Sequence, residues 1–172
     1  MNLQTFAPHV SAGQSLRDWW LGLAQDRGAR AELRRAKSAG DAVLFPVSID
    51  LITRLKATPV RDHGGWIERI PLIAGLAAHL DPHAEQAVLH DTTTLPERMA
   101  RSKGDRPVVS QLRFRRLLRT PRAELYRPMI RILALLDHQA NLYELAESMF
   151  WWGPNIQKQW AFAYFPKLPK TA

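Results

Sequence analysis

The chain has 172 residues, 46% of them hydrophobic, and a formal net charge of +8. This length suits one domain or two small lobes, and the hydrophobic content, with six tryptophans, excludes intrinsic disorder. No uninterrupted apolar run approaches the roughly 20 residues of a membrane span. The absence of cysteine excludes disulfides and thiolate metal sites. We therefore expect a soluble cytoplasmic protein with no secretory signal and no membrane partner.

The positive charge is concentrated in the second half of the chain. Residues 1–90 carry a net charge of +1 and residues 91–172 a net charge of +7. Between Arg98 and Arg131, eleven basic side chains stand against only Asp105 and Glu124, a local charge of +9. Such asymmetry is typical of proteins that bind nucleic acid or another polyanion.

The first half of the chain has the apolar periodicity of α-helices. Apolar residues recur every three or four positions from Leu16 to Leu23, which predicts a first helix capped by Ser15. A short basic helix is predicted next, at residues 29–37, and Gly40 ends it. Another should start near Phe45, with Pro46 in its first turn. A further helix is predicted from Trp66 to Leu80, which Pro71 must open or kink.

The second half begins with a stretch rich in Thr, Pro and Gly, in which we expect only a short helix at residues 97–102. Four further helices are predicted at residues 110–119, 122–138 and 142–152, and after Gly153 with Pro154 in the first turn. No strand-like alternation extends over six residues. We therefore predict an all-α protein of two packed helical lobes, residues 1–90 and 91–172, joined by a mobile loop around residues 91–109.

The helix at residues 110–119 is the strongest candidate for a binding element. On a helical wheel, Phe114, Leu117 and Leu118 share one side, and the opposite arc holds Arg113, Arg115, Arg116 and Arg119. Arg115 and Arg119 are four residues apart on the helix, so their charges repel each other and slightly destabilise it. A polyanionic partner would give the protein a reason to keep this pair. Planar guanidinium groups bind phosphate oxygens bidentately.

The tryptophans and histidines favour structural roles. Trp19, Trp20, Trp152 and Trp160 lie on apolar stripes, which predicts core packing. Trp151 points away from its helix's stripe, toward the last helix or a partner subunit.

No metal site or catalytic motif is evident from the sequence. His79 and His83 have the spacing of a helical metal pair, but Asp81-Pro82 interrupts the helix between them. His90-Asp91 lacks the companion residues of an HD-type phosphohydrolase. We find no Gly-rich phosphate loop, no Gly-x-Ser-x-Gly and no paired carboxylates beside a cleft. We therefore predict no enzymatic activity, no metal and no cofactor.

Three blocks of the sequence carry a family resemblance. The C-terminal block is Asn141-Leu-Tyr-Glu-Leu-Ala-Glu-Ser-Met-Phe-Trp-Trp-Gly153, with Ile156, Trp160 and Tyr164-Phe165 after it. The second is Ser110 with Arg113-Phe-Arg-Arg-Leu-Leu118, and the third runs from Trp19-Trp20 through Asp26-Arg27-Gly-Ala-Arg30 to Arg34-Arg35. Together they cover about half of the chain, and they resemble CasB, the small subunit of the type I-E CRISPR surveillance complex called Cascade.

The resemblance implies a two-lobed, non-catalytic helical protein that sits as a pair of copies among the crRNA-guided Cascade subunits. Its nucleic-acid partner would be the R-loop, in which guide RNA pairs with one DNA strand and the other is displaced as single-stranded DNA. The contacts that carry over from the matched blocks are Arg27, Arg30, Arg34, Arg35, Arg113, Arg115, Arg116 and Arg119. The basic stretch adds Arg101, Lys103, Arg106 and Arg122 to the predicted nucleic-acid contacts.

Two other functions stay open from the sequence. One is a free-standing helix-turn-helix regulator, which would need a recognition helix with Asn, Gln or Ser reaching base edges, whereas the basic helix offers mostly Arg. The other is a metal-dependent hydrolase built around His90-Asp91.

Overall fold

The computed structural model describes residues 4–170, and within that range it contains ten α-helices. The helices are α1 (Ser11–Gln25), α2 (Arg27–Arg34), α3 (Ala39–Ala42), α4 (Pro46–Leu55), α5 (Trp66–Ala77), α6 (Leu95–Ala100), α7 (Gln111–Leu118), α8 (Tyr126–Leu135), α9 (Leu142–Phe150) and α10 (Pro154–Tyr164). Single 3-10 turns lie at Pro59–Asp62, Arg122–Glu124 and Phe165–Lys167, and a π-helical turn covers Gln86–His90. The all-α prediction is confirmed.

One small sheet was not predicted. Strands β1 (Ser102–Lys103) and β2 (Arg106–Pro107) pair antiparallel. Gly104, in the turn between them, has a φ of 64°, a backbone conformation that favours glycine. Strands of two residues are too short to show any alternation, so the sequence carried no signal for them.

Helices α5 and α9 form the centre of the molecule. Every side chain of α9 is buried, and so is every side chain of α5 from Ile70 onward. Helix α5 packs against α9, α3, α4 and α8. The buried hydrophobic residues form a cluster that includes side chains from both halves of the chain, from Phe6 to Tyr164. The division into lobes 1–90 and 91–172 stays a prediction.

The first two helices begin earlier than the sequence predicted. Helix α1 starts at Ser11, one turn before the predicted cap Ser15. Helix α2 starts at Arg27 because the side chain of Asp26 accepts a hydrogen bond from the backbone N–H of Ala29 at 3.0 Å. It ends at Arg34, so the residues up to Lys37 lie outside it, and Gly40 lies within α3.

The segment around residues 91–109, predicted to be a loop, is largely folded. The side chain of Thr94 accepts the N–H of Glu97, and the Glu97 carboxylate accepts the N–H of Thr94. This capping box starts α6 two residues before the predicted position. Met99 is fully buried, and its carbonyl accepts the N–H of Val109 at 2.9 Å. The hairpin and the start of α7 are therefore tied to a buried helix.

The predicted core tryptophans are confirmed as buried. Each indole N–H donates a hydrogen bond: Trp19 to Val47 O, Trp20 to Ala77 O, Trp152 to Thr120 O and Trp160 to Ser148 Oγ. Trp151 is more exposed, and its indole donates to Thr5 Oγ1 at 2.9 Å while its ring packs against His63. Its neighbours within the chain are therefore Thr5 and His63 and not the last helix, and its contact with a partner subunit stays a prediction.

Two buried carboxyl groups of α9 receive backbone N–H groups from distant parts of the chain. Glu147 accepts from the N–H groups of Gln4, Thr5 and Phe6 at 2.8 to 3.2 Å. Glu144 Oε2 accepts from the N–H of Leu95 at 3.0 Å, at the start of α6. Burial raises the pKa of Glu144 to about 8, although the Leu95 hydrogen bond opposes the shift.

Replacing Gly13 by Ala should destabilise the fold. A Cβ at this position would lie 1.9 Å from the backbone oxygen of Ala7, so α1 or the preceding segment must move. We expect Gly13→Ala to lower the free energy of unfolding by about 3 kcal/mol. Gly22→Ala, in the same helix with no atom within 4 Å of its Cβ, should raise it by about 0.5–1 kcal/mol. Urea unfolding compares the two, and equal effects would contradict the close approach.

Replacing Glu144 by Gln should change how stability depends on pH. The unfolded carboxyl releases its proton near pH 4.5 and the folded one near pH 8, so the parent protein loses stability as the pH rises between these values. Gln can still accept the Leu95 N–H and does not ionise. Relative to the parent, Glu144→Gln should therefore gain stability between pH 4.5 and 8, by an amount on the order of a few kcal/mol.

Urea unfolding at both pH values measures this gain. Glu97→Gln is the control, because the Thr94 N–H and hydroxyl lower the pKa of Glu97 and its contribution has the opposite sign. If the difference in unfolding free energy between Glu144→Gln and the parent protein does not vary with pH, this carboxyl is ionised in the folded protein.

Candidate nucleic-acid interface

Helix α7 is fixed to the fold through one aromatic side chain. Phe114 is fully buried, and its ring stacks on Tyr164 with 3.8 Å between centroids. The Tyr164 hydroxyl donates to Val109 O at 2.6 Å, which holds the chain just before α7. Leu117 is buried one turn after Phe114, and Ser110 caps the helix by accepting the N–H of Arg113. The predicted apolar side of this helix is confirmed.

With that side buried, the arginines of α7 point to solvent. We call the exposed Arg113, Arg115, Arg116 and Arg119 the α7 surface. Within residues 4–170, none of the four lies within 4.0 Å of a carboxylate oxygen. The Arg115 guanidinium lies 5.6 Å from the centroid of the Phe165 ring, a cation–π contact that leaves its charge unneutralised. The α7 surface therefore carries a charge of +4 without acidic partners.

The hairpin extends this basic region. Its exposed cations Arg101, Lys103 and Arg106 form what we call the hairpin surface, and they also lack ion-pair partners in the described part of the chain. Arg106 and Arg113 line one shallow groove, together with Ser110 and Gln111. The structure thus brings the hairpin surface and the α7 surface together.

The predicted contacts of α2 form a separate group, the α2 surface, made of Arg27, Arg30, Arg34 and Arg35. Leu33 is fully buried and fixes the helix, while three of the four arginines are exposed. Arg30 is half-buried and donates to Leu80 O at 3.3 Å. Burial, and then the charge of Arg34, lower the pKa of Arg30. Among residues 4–170, no hydrogen bond joins α2 to α7.

Helix α8 contributes cations next to α2 that the sequence did not single out. Arg127 Nε donates to the carbonyl of Lys37 at 3.4 Å, just beyond the end of α2. Arg127 and Arg131 are both exposed and are one turn apart on α8. Both lie within the basic stretch of the sequence, but nothing in the sequence indicated that Arg127 contacts the segment after α2.

Arg122 has a different environment from the other predicted contacts. Its guanidinium donates to the carbonyls of Met149, Phe150 and Trp152 at 3.0 to 3.2 Å, at the C-terminal end of α9. Arg69 also donates to Phe150 O, at 3.2 Å. These carbonyls have no partners within the helix, so Arg122 acts as a cap of a buried helix. Its donors are largely occupied, which leaves little of the guanidinium for a phosphate.

Arg122 and Arg119 should therefore respond differently to substitution. Arg122→Ala leaves the carbonyls of Met149 and Trp152 without their charged donor, and Phe150 O keeps only Arg69, so we expect it to lower the free energy of unfolding by about 3 kcal/mol. Arg119→Ala removes an exposed side chain and should change it by less than about 0.5 kcal/mol. Thermal or urea unfolding tests the contrast, and an Arg122→Ala protein as stable as Arg119→Ala would refute the capping role.

The histidines and Asp91 are not arranged as a metal centre. In the described range, no three His, Asp or Glu side chains are grouped so that they could hold a metal ion. Asp91 accepts from Thr93 N–H and hydroxyl and pairs with the buried Arg98 at 2.9 Å. His79 is buried, and burial and the nearby Arg34 lower its pKa to about 4. Nor does the described chain contain a helix long and apolar enough to cross a membrane.

Comparison with known proteins now identifies the relatives of this fold. The chain of one similar structure belongs to E. coli Cascade bound to a PAM-containing double-stranded DNA target. The two chains are 18% identical. The match covers 95% of this chain and 99% of the Cascade chain, with a TM-score of 0.63. The crystal structure of CasB from Thermus thermophilus is 20% identical over 91% of this chain and 99% of that chain, with a TM-score of 0.61. At these identities the likeness shows a shared fold.

Sequence comparison gives the family directly. No curated protein sequence matches this chain. The family model of "CRISPR-associated protein Cse2", however, matches residues 29–165, which is most of the chain and includes α7, α9 and most of α2. The resemblance to CasB predicted from the three sequence blocks is confirmed, and the chain belongs to the Cse2 family of CRISPR-associated proteins.

Proposed function

We propose that this protein is a non-catalytic small subunit of a type I-E Cascade complex and that it holds the sugar–phosphate backbone of nucleic acid in the R-loop. The observation that carries the proposal is the group of seven exposed cations on the hairpin surface and the α7 surface. Within the described residues none of the seven has a carboxylate partner. Like charges so placed repel each other, and a polyanion neutralises them.

The chemistry of the R-loop explains why such contacts would be useful. Replacing a DNA duplex by an RNA–DNA heteroduplex is close to energetically balanced, so additional contacts to the backbone decide whether the open state persists. Pairing with the guide supplies sequence specificity. The protein then needs only contacts that ignore sequence, and guanidinium groups provide them through bidentate bonds to phosphate and stacking on unpaired bases.

The exposed side chains of α7 favour backbone binding over reading of base edges. They are Gln111, Leu112 and the four arginines of the α7 surface. A recognition helix of a helix-turn-helix regulator would present several residues that hydrogen-bond to base edges in the major groove. Sequence-blind binding is therefore the better account of this helix.

The α2 surface is proposed as a second contact region. Arg127 reaches the carbonyl of Lys37, so the α2 surface continues onto the exposed cations of α8. Helix α8 follows α7 in the chain, after the turn at Arg122–Glu124. The similar chain belongs to E. coli Cascade bound to DNA, which supports other Cascade subunits as partners of this protein. A second copy of this chain is proposed as a partner from the family resemblance alone.

The proposal predicts the effect of removing three cations from one face. Arg113→Ala, Arg116→Ala and Arg119→Ala together should weaken binding of single-stranded DNA about 10- to 100-fold at low salt, equally for unrelated sequences. The slope of log affinity against log salt concentration should become shallower by about 2, because three phosphate contacts are lost. Fluorescence anisotropy at several salt concentrations measures both, and circular dichroism should show unchanged helix content.

A matched control removes three arginines elsewhere. Arg17, Arg54 and Arg61 each lie beside an acidic side chain, at 3.1 to 3.8 Å from Asp18, Asp50 and Asp62. Changing these three to Ala alters the net charge by the same amount and should leave binding within about threefold of the parent. If the α7 triple variant also binds as the parent does, the assigned face is wrong.

A further inference from the structure

An open cavity of about 770 Å³ lies between the start of α6 and one side of α10. Thr92, Thr93 and Thr94 line it on the α6 side, and Gln159 and Phe162 line it on the α10 side. This volume is within the range of sites that take small organic groups, and the mixture of apolar and hydrogen-bonding walls is typical of them. None of the residues proposed to contact the nucleic-acid backbone lines this cavity.

Phe162 is the notable side chain at this cavity. It is 70% exposed, whereas Trp160 and Tyr164 on the same helix are buried. Its ring contributes nothing to the core and presents a free aromatic surface beside the cavity. An aromatic ring in this position is suited to stacking against another flat ring system.

Glu144 gives the cavity an unsatisfied polar group. It lines the cavity and its residue is only 4% exposed, yet Oε1 has no hydrogen-bond partner in the described structure. Burial raises the pKa of this carboxyl to about 8, so near neutral pH it carries a proton and can donate. A buried group without a partner is costly to the fold.

Positive charges surround the cavity. Arg101 and Lys167 line an adjoining hollow that shares Thr93 and Glu97 with the cavity. The Lys158 ammonium lies 5.9 Å from the centroid of the Phe162 ring. Of the two acidic residues that line the cavity, Glu97 is the ionised one, and its carboxylate accepts hydrogen bonds from the N–H and hydroxyl of Thr94. The site therefore combines an aromatic surface with an excess of cations.

We propose that this cavity holds the base of one unpaired nucleotide, with the base against Phe162 and the neighbouring phosphates at Arg101 and Lys167. The inference rests on the proposed function and adds a base-holding site to it. Arg101 also belongs to the hairpin surface, so a strand bound along that surface passes the mouth of the cavity. A nucleotide joins a flat aromatic group to an anion, which matches this site better than a peptide does.

Such a site depends on the presence of a base and tolerates any base. Stacking uses the π-face that all four bases share, so binding remains independent of sequence. The site would hold a displaced or otherwise unpaired strand and would not accept a base inside a duplex, because the base must leave its stack to enter.

The test compares Phe162→Ala with the parent protein on two single-stranded probes of equal length and charge. One probe is a thymidine oligonucleotide, and the other has abasic tetrahydrofuran sugars in place of the nucleosides. We expect the parent to bind the thymidine probe about tenfold more tightly than the abasic one. Phe162→Ala should lose that difference by weakening only the binding of the thymidine probe. Ile67→Ala, which removes an apolar side chain that is 48% exposed on α5 and outside the proposed contacts, should keep it.

A direct measurement locates the base. Photocrosslinking with 5-iododeoxyuridine in the probe, followed by mass spectrometry, should modify the peptide that contains Trp160 and Phe162. Crosslinks confined to other peptides would overturn the proposal. So would a Phe162→Ala protein that binds both probes as the parent does, or one that weakens on both equally.

These outcomes separate the two proposals. If the α7 triple variant loses affinity but Phe162→Ala behaves as the parent, the base-holding site is wrong and the backbone-binding function stands. If the α7 triple variant binds both probes as the parent does, the proposed function itself is wrong. If Phe162→Ala binds both probes normally but no longer joins purified Cascade subunits, a peptide occupies the cavity and the nucleotide assignment fails.

Discussion

The arrangement of the molecule depends on the burial of α9 together with its charged and polar ends. Glu144 and Glu147 place carboxyl groups in the interior, where an unsatisfied charge would be very costly. Backbone N–H groups of the N-terminal segment bond to Glu147, and the N–H of Leu95 in α6 bonds to one of the two oxygens of Glu144. At the other end, Arg122 satisfies carbonyls that the helix itself leaves open. Three separate parts of the chain are thereby positioned by hydrogen bonds to one helix.

This arrangement divides the basic side chains into two kinds. Arg98 and Arg122 are directed inward, and the former is bound to Asp91 and the latter to carbonyl oxygens. The arginines of the α7 surface lack carboxylate partners in the described range. Core packing alone requires nothing of that surface beyond the burial of Phe114 and Leu117. An accumulation of unpaired charge there contributes nothing to folding, which is why we assign it to binding a polyanion.

The sequence predicted most of the helices because their apolar residues recur with the helical period, as in α1, α7 and α9. It placed the start of α1 too late because the first turn of this helix, residues 11–14, holds no large apolar side chain that would extend the periodicity back from Leu16. It also gave both Arg119 and Arg122 as nucleic-acid contacts, the first from the basic helix and the second from the basic stretch. Only the three-dimensional position of α9 shows that Arg122 is occupied, and only the packing of α6 on α10 creates the cavity beside Phe162.

Helix α6 connects the core to both proposed contacts. Its first residue, Leu95, donates to the buried Glu144, and its last turn carries Arg98 inward to Asp91. Arg101 follows directly, at the point where the hairpin surface and the hollow beside the cavity meet. A helix fixed at both ends by buried hydrogen bonds holds the cation and the cavity at a constant separation. A phosphate at Arg101 would therefore keep its own base within reach of Phe162, and electrostatic binding of the backbone and stacking of one base would reinforce each other.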